Sequence, residues 1–205
     1  MNRRLVEVAA LASANSKAVV FYFDKKTTTP KSLAILCEVL YADVPSYAFD
    51  YYVFNNGTFD EDNFFATYLD RVIVKPAAGE GVTAALPLVS DPEGEIKRTA
   101  SGAEFTLNVV GPRLVTSDEI EASPRARGFE IVPGQPLFYV REGEHVRVRM
   151  VAVLGSGRDN SKFSVVEKAF VNPDDMSVTL ETTDAMTPRD AIDFALRIYP
   201  GHYSK

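Results

Sequence analysis

Between Thr29 and Pro45, Leu33, Leu36 and Leu40, with Ile35 and Val39, recur at helical spacing. Thr29 is a capping residue, and Pro30 suits the first helical position, where its missing N–H would lack a partner anyway. Pro45 stops the run, because the residue before a proline is pushed toward extended geometry. Charges are sparse: Lys31 near the start, Glu38 in the middle, Asp43 at the end. An ordinary surface helix has an apolar stripe and a polar back. This one is apolar nearly all round. It reads either as a central core helix, or as one covered by the chain's own sheet on one side and by a second subunit on the other.

The rest of the pattern is mostly strand-like. Residues 5–10 (LVEVAA) and 18–23 (AVVFYF), with Ala14-Asn15-Ser16 between them, predict a hairpin, although residues 5–11 also fit a helical pattern. Residues 47–54 (YAFDYYVF) are strongly β-prone and end in turn chemistry at Asn55-Asn56-Gly57-Thr58. Asp60-Glu61-Asp62-Asn63 precede Phe64, Phe65, Tyr68, Leu69 and Val72. Acids in front of that spacing predict an amphipathic helix, since they suit its dipole. A calcium loop is disfavoured, because its glycine and terminal glutamate are missing.

Beyond Lys75 short strand candidates follow at 82–89 and 105–110, punctuated by Asp91-Pro92-Glu93-Gly94 and Ser123-Pro124-Arg125. Phe105-Thr106-Leu107-Asn108-Val109 alternates at period two. Pro133-Gly134-Gln135-Pro136 is a turn before a strand at 137–140. Residues 146–154 put Val146, Val148 and Met150 on one face and Arg147 and Arg149 on the other. The arginines form either a basic patch or, as is commoner, the solvated face of a half-buried sheet.

Strands at 163–170 and 177–181 join through Asn172-Pro173-Asp174-Asp175. Thr187-Pro188-Arg189-Asp190 opens a last helix, with Asp190 reaching back as in a capping box. Ala191, Ile192, Phe194, Ala195, Leu196, Ile198 and Tyr199 follow, and Pro200-Gly201 ends it. Each end of the chain thus reads as strands plus an unusually apolar helix, with a β-rich module between. The expected fold is α+β: a domain from residues 1–49 and 163–205, with a β-rich domain of residues 50–162 inserted.

Composition narrows the functional classes. At 205 residues and 46% hydrophobic, the chain is globular and long enough for real cores. A net charge of −6 and a pI near 5.0 argue against strong direct nucleic-acid binding. The single cysteine, Cys37, makes neither an internal disulfide nor a cysteine zinc cage, so the chain reads as intracellular. No apolar run reaches membrane-spanning length, and Met1-Asn2-Arg3-Arg4-Leu5 lacks a long secretory core.

Visible chemistry is scant. His145 and His202 have no cysteine or histidine at ligand spacing. No nucleophile elbow, HExxH or P-loop appears. Gly155-Ser156-Gly157 is too short for a dinucleotide fingerprint. The expectation is a chain with no catalytic residues, no metal and no cofactor of its own.

The most specific string is Gly155-Ser156-Gly157-Arg158-Asp159-Asn160-Ser161-Lys162-Phe163-Ser164-Val165-Val166. It resembles the glycine-x-glycine-basic-acid-His-Ala-Lys-Trp-Ser-x-Val segment found in the third-largest subunit of eukaryotic RNA polymerases and in its archaeal counterpart. Ser32-Leu33-Ala34, Glu38-Val39-Leu40 and Asp43-Val44-Pro45 resemble that family's first dimerisation helix and the Val-Pro after it. Asn55-Asn56-Gly57-Thr58, Asp60-Glu61, Ala66 and Leu69 resemble its next element. Residues 178–188 with Ala191, Ala195 and Leu196 resemble its final strand and second dimerisation helix. The resemblance runs in order over most of the chain and weakens between Lys75 and Phe129.

The resemblance implies a bacterial alpha-N-terminal-like dimerisation domain with a β-rich insertion, and a non-catalytic role in transcription. Such a subunit forms a heterodimer with a smaller alpha-like subunit and holds the second-largest and largest polymerase subunits. Leu33, Leu36, Val39, Leu40, Ile192, Ala195, Leu196 and Tyr199 would form the partner-subunit interface and core. Gly155, Gly157, Arg158, Asp159, Lys162 and Ser164 would form a loop docking the second-largest subunit. Its glycines allow close backbone approach, and Arg158 offers a bidentate fork to a carboxylate. The competing readings are a tight turn with solvated charges for the loop, and a homodimeric binding module for the chain.

The departures from the family are specific. The first helix usually carries an Asn and paired arginines, where this chain has Ile35-Leu36-Cys37-Glu38. The usual His is Asn160 and the usual Trp is Phe163. The metal-binding cysteines of many relatives are absent, and Pro200-Gly201 makes the last helix short. Such drift points to a divergent polymerase of the kind a large DNA virus carries, at work in the nucleus or in host cytoplasm and virion.

Overall fold

A computed structural model describes residues 5–10, 17–60, 64–77, 89–90, 96–97 and 103–198. The expected turn at Ala14-Asn15-Ser16, most of the strand expected over 82–89, the Asp91-Pro92-Glu93-Gly94 turn, Tyr199, the Pro200-Gly201 stop and His202 lie outside the described residues. The chain runs β1 (Leu5–Ala10), β2 (Val19–Phe23), α1 (Pro30–Ala42), β3 (Pro45–Asn55), β4 (Thr58–Phe59), α2 (Ala66–Leu69), β5 (Val74–Pro76), β6 (Val89–Ser90), β7 (Ile96–Lys97), β8 (Glu104–Val110), β9 (Arg113–Thr116), β10 (Glu121–Ala122), β11 (Phe129–Ile131), β12 (Pro136–Val140), β13 (His145–Ser156), β14 (Val166–Asn172), β15 (Ser177–Thr182) and α3 (Pro188–Ile198). It is a mixed α+β protein, rich in antiparallel sheet.

The chain divides into two compact units, Met1–Ser46 with Ser156–Lys205, and Tyr47–Gly155. The divisions fall inside β3 and β13. The boundaries expected from sequence were 49/50 and 162/163. The stretch 156–162 belongs with the first unit because its backbone bonds to the end of α1.

The first unit has a four-stranded sheet ordered β1-β2-β15-β14, with α1 and α3 packed on it. The expected hairpin is β1 with β2, pairing Val8 with Phe21 and Ala10 with Val19. Helix α1 starts where its caps predict. Ser32 N–H donates to Thr29 Oγ1 at 3.1 Å, and Thr29 N–H donates back to Ser32 Oγ at 3.1 Å. This reciprocal box satisfies donors that a helix start otherwise leaves unpaired.

Leu33, Leu36, Cys37, Val39 and Leu40 are buried against Phe21 and Phe23 of β2, Val178 and Leu180 of β15, and Ala191, Ile192 and Ala195 of α3. Lys31, Ala34, Glu38 and Tyr41 are exposed, so α1 is a core helix with an open back within this chain. The back is not idle: Tyr41 Oη accepts the N–H of Ala169 at 2.9 Å, on the edge strand β14. The last helix departs from the apolar reading. Arg189, Asp190 and Arg197 are exposed, and Arg189 pairs with Asp193 at 2.7 Å, so α3 is amphipathic.

The second unit is built on a five-stranded sheet ordered β10-β8-β13-β3-β4, with the two-stranded ladders β5–β11, β9–β12 and β6–β7. The period-two pattern of β8 holds throughout: Phe105, Leu107 and Val109 are buried. They pair with Met150, Val148 and Val146 of β13, so one face of both strands is core. Phe49 meets Phe105 edge-on with ring centroids 5.0 Å apart.

Two expected elements change. The helix expected over Phe64 to Val72 is the single turn α2, because the β-branched run Val72-Ile73-Val74 leads straight into β5. Phe163, expected in a strand, sits in a 3-10 turn of Ser161–Phe163. Among the described residues no helix is long and apolar enough to cross a membrane.

Candidate partner-binding site

The loop that carries the polymerase resemblance folds against the C-terminal end of α1. Gly157 lies so close to that end that a Cβ added to it would sit 2.0 Å from the Tyr41 carbonyl oxygen. Only glycine allows this approach. The N–H of the next residue, Arg158, then donates to the Ala42 carbonyl at 2.9 Å, one of the acceptors a helix end leaves open. The Arg158 side chain continues the attachment. Its Nε donates to Asp43 Oδ1 at 2.9 Å and Nη2 to Asp43 Oδ2 at 3.0 Å, a two-pronged grip on the helix C-cap.

The remaining loop residues hold the turn itself. Asp159 Oδ2 accepts from Ser156 N–H at 2.9 Å and from Ser156 Oγ at 3.1 Å. Asn160 Oδ1 accepts from Lys162 N–H at 3.0 Å and caps the 3-10 turn. Lys162 Nζ stands 5.4 Å from the ring centroid of Phe163, which is fully buried. Ser46 Oγ donates to the Phe163 carbonyl at 2.6 Å, and Val166 N–H donates to Ser164 Oγ at 3.4 Å. Gly155 is buried at the end of the second unit.

The carboxylate that Arg158 was expected to offer its fork to is therefore Asp43 of the same chain. Asp43 anchors the loop to the end of α1, a role that sequence reasoning missed. An acid directly after a helix is visible in sequence, but its partner 115 positions away is not.

The expected partner-facing residues separate by burial. Leu33, Leu36, Val39, Leu40, Ile192 and Ala195 are each at most 2% exposed and sit in the core of the first unit. Of the set expected to form interface and core, these six are core: the chain's own strands and helices occupy their apolar faces. Leu196 is partly buried against that core, and Tyr199 lies outside the described residues. The helix surface that remains open carries Lys31, Ala34 and Glu38 of α1 and Arg189, Arg197 and Ile198 of α3, flanked by the half-buried Ile35, Phe194 and Leu196. Arg197 lies 5.6 Å over the Phe194 ring.

Burial, with a smaller push from Glu38, raises the Cys37 thiol from its ordinary 9.0 to about 11, so it stays protonated. Lys17 is raised by its hydrogen bond to Asp184 at the exposed surface. Among the described residues no group of three or more His, Cys, Asp or Glu is placed to hold a metal ion. Against known proteins, no family model matches the chain and a search of curated proteins finds no match.

Proposed function

We propose that this chain is a non-catalytic assembly subunit of a multisubunit DNA-directed RNA polymerase, with an alpha-N-terminal-like dimerisation unit. One observation carries the reading. Three stretches that resemble that family, the first helix, the glycine-rich loop and the last helix, lie far apart in sequence and meet in one unit. There α1 and α3 pack side by side on one sheet, and Gly157 and Arg158 fasten the loop to the end of α1.

In this reading the open backs of α1 and α3, with Ile35, Phe194, Leu196 and Ile198, pair with a smaller alpha-like subunit. The loop then acts as a braced element, held by Arg158 on Asp43 and by Asp159 on Ser156, whose exposed surface meets the second-largest subunit. Bracing fits such a task, since a prefolded loop loses less conformational freedom on docking.

The test is purification of the tagged full chain from its native source, followed by mass spectrometry. Recovery of two very large subunits and a small alpha-like one is expected. An Ile35→Asp/Ile198→Asp variant with an unchanged circular dichroism spectrum should lose the small subunit. Recovery of the wild-type chain as a homodimer without polymerase subunits overturns the proposal.

A further inference from the structure

The solvent face of the five-stranded sheet carries the two arginines that the sequence pattern set apart. Arg147 and Arg149 are two residues apart on β13, so both leave the same face, and both are exposed. Opposite them on β8 stand Asn108 and Thr106, which offer no carboxylate. Among the described residues neither arginine makes an ion pair.

Beside them β3 and β4 turn through Asn56-Gly57, with φ values of 49° and 81°, the geometry of a tight two-residue hairpin. Phe54 and Phe59 pair across that hairpin with ring centroids 5.8 Å apart, and Tyr52 lies 6.2 Å from Phe59. Tyr52 and Phe59 are among the most exposed aromatic residues of the unit.

The site is held in place by polar contacts. Asn56 N–H donates to the His145 carbonyl at 2.8 Å, and Asn56 Oδ1 accepts from His145 N–H at 2.8 Å. His145 Nε2 lies 2.6 Å from Asn108 Oδ1, within hydrogen-bond distance. Phe54, Gly57, His145, Arg147 and Arg149 together line a pocket of about 250 Å³. Gly57 adds no side chain, and the space beside it is open.

We infer that this pocket binds one nucleotide unit, with the phosphate on Arg147 and Arg149 and the base against Phe54. Two guanidinium groups that make no ion pair among the described residues match a phosphate, and an adjacent aromatic ring matches a base, which stacks whatever its sequence. The volume lies just below the roughly 300 Å³ at which small-ligand pockets begin, so it suits a single nucleotide and not a large cofactor. An acidic peptide satisfies the arginines but leaves the aromatic surface unused. A free nucleotide and one residue of a single strand offer the same chemistry. The chain's net charge of −6 supplies no long-range attraction, so recognition is local to the two arginines. For a strand, that predicts a salt slope of only about −1.4. This inference needs no partner subunit and stands or falls separately from the polymerase reading.

The test is fluorescence anisotropy of a fluorescein-labelled ten-nucleotide oligouridylate with the full chain, competed by uridine monophosphate and by a ten-residue glutamate peptide. Saturable binding is expected. Arg147→Ala/Arg149→Ala should weaken it at least tenfold, Arg147→Lys/Arg149→Lys severalfold, and Arg189→Ala/Arg197→Ala in the other unit not at all. Displacement by the mononucleotide assigns a free nucleotide; binding that only the oligomer competes assigns a strand. Absence of binding by the wild-type chain overturns the inference. So does binding that survives both arginine pairs, or displacement by the glutamate peptide as effective as by nucleotides.

Discussion

At the residue scale, Gly157 is the most constrained position of the loop. A methyl group there must displace the α1 carbonyl of Tyr41, so Gly157→Ala should cost about 2–3 kcal/mol, read as a lower urea midpoint with an unchanged slope. Arg158 and Asp43 form a good bidentate pair, but Arg158 is 67% exposed on its side chain. A double-mutant cycle between them should therefore give a coupling of only about 0.5–1 kcal/mol. Cys37 supplies a pH prediction. Its thiol is raised in the folded chain to about 11, so the fold binds that proton more tightly than the unfolded chain does. The resulting stability is complete below pH 9, the ordinary value, and is lost as pH rises to about 11. Burial raises Tyr47 and Tyr51 too, Tyr51 also through its bond to Asp70, so they add in the same direction at higher pH. Urea midpoints measured from pH 7 to 11 should fall, and alkylation of Cys37 at pH 8 should be slow until denaturant is added. The glycines and Arg158 were visible in the sequence through the family resemblance; their partners were not, because Asp43 and the Tyr41 carbonyl are remote in sequence.

At the element scale, local signals read best where they act locally. The Thr-Pro starts of α1 and α3 and the Asn-Gly turn are settled by neighbours within four residues, and each lies where the pattern puts it. What a helix faces is not a local property. The apolar positions of α1 and α3 were legible, yet nothing in their spacing distinguishes a partner's surface from the chain's own sheet. Phe21, Phe23, Val178 and Leu180 decide that by covering them. The charged stripe of α3 was in view, but a count of its apolar residues hid it. Helix α2 failed for a related reason: its apolar spacing continued into Val72-Ile73-Val74, whose branching favours extended chain. Two substitutions separate core from surface. Leu36→Ala should cost about 2–5 kcal/mol, since its side chain is 1% exposed. Ile198→Asp, at a position 42% exposed near the end of α3, should change stability by no more than about 0.5 kcal/mol. Equal effects in chemical denaturation would remove the distinction between buried and open helix faces.

At the scale of the whole molecule, the insertion was legible because the chain's texture changes twice, from helix-and-strand to short strands and back. Its edges were displaced by several residues, since composition does not show that a loop after β13 is fastened to α1. Each unit also has its own core. The first gathers Phe21, Leu33, Leu36, Leu40 and Ile192; the second gathers Phe49, Phe105, Leu107, Val146, Val148 and Met150. A unit with a separate core and the size of an ordinary domain carries its own folding cooperativity. The segment 47–155 therefore has what it needs to fold alone. Its sheet is centred on β8, β13 and β3, and among the described residues its buried cluster draws on none outside the segment. Expressed by itself, it should give a dispersed amide spectrum and one cooperative urea transition, and Leu107→Ala should shift that midpoint down by about 2–5 kcal/mol equivalents. In the full chain, Leu107→Ala should then lower one transition and Leu36→Ala another. A single transition shifted equally by both substitutions, or a collapsed spectrum for 47–155, would show that the two cores are one folding unit and that the insertion is a matter of topology alone.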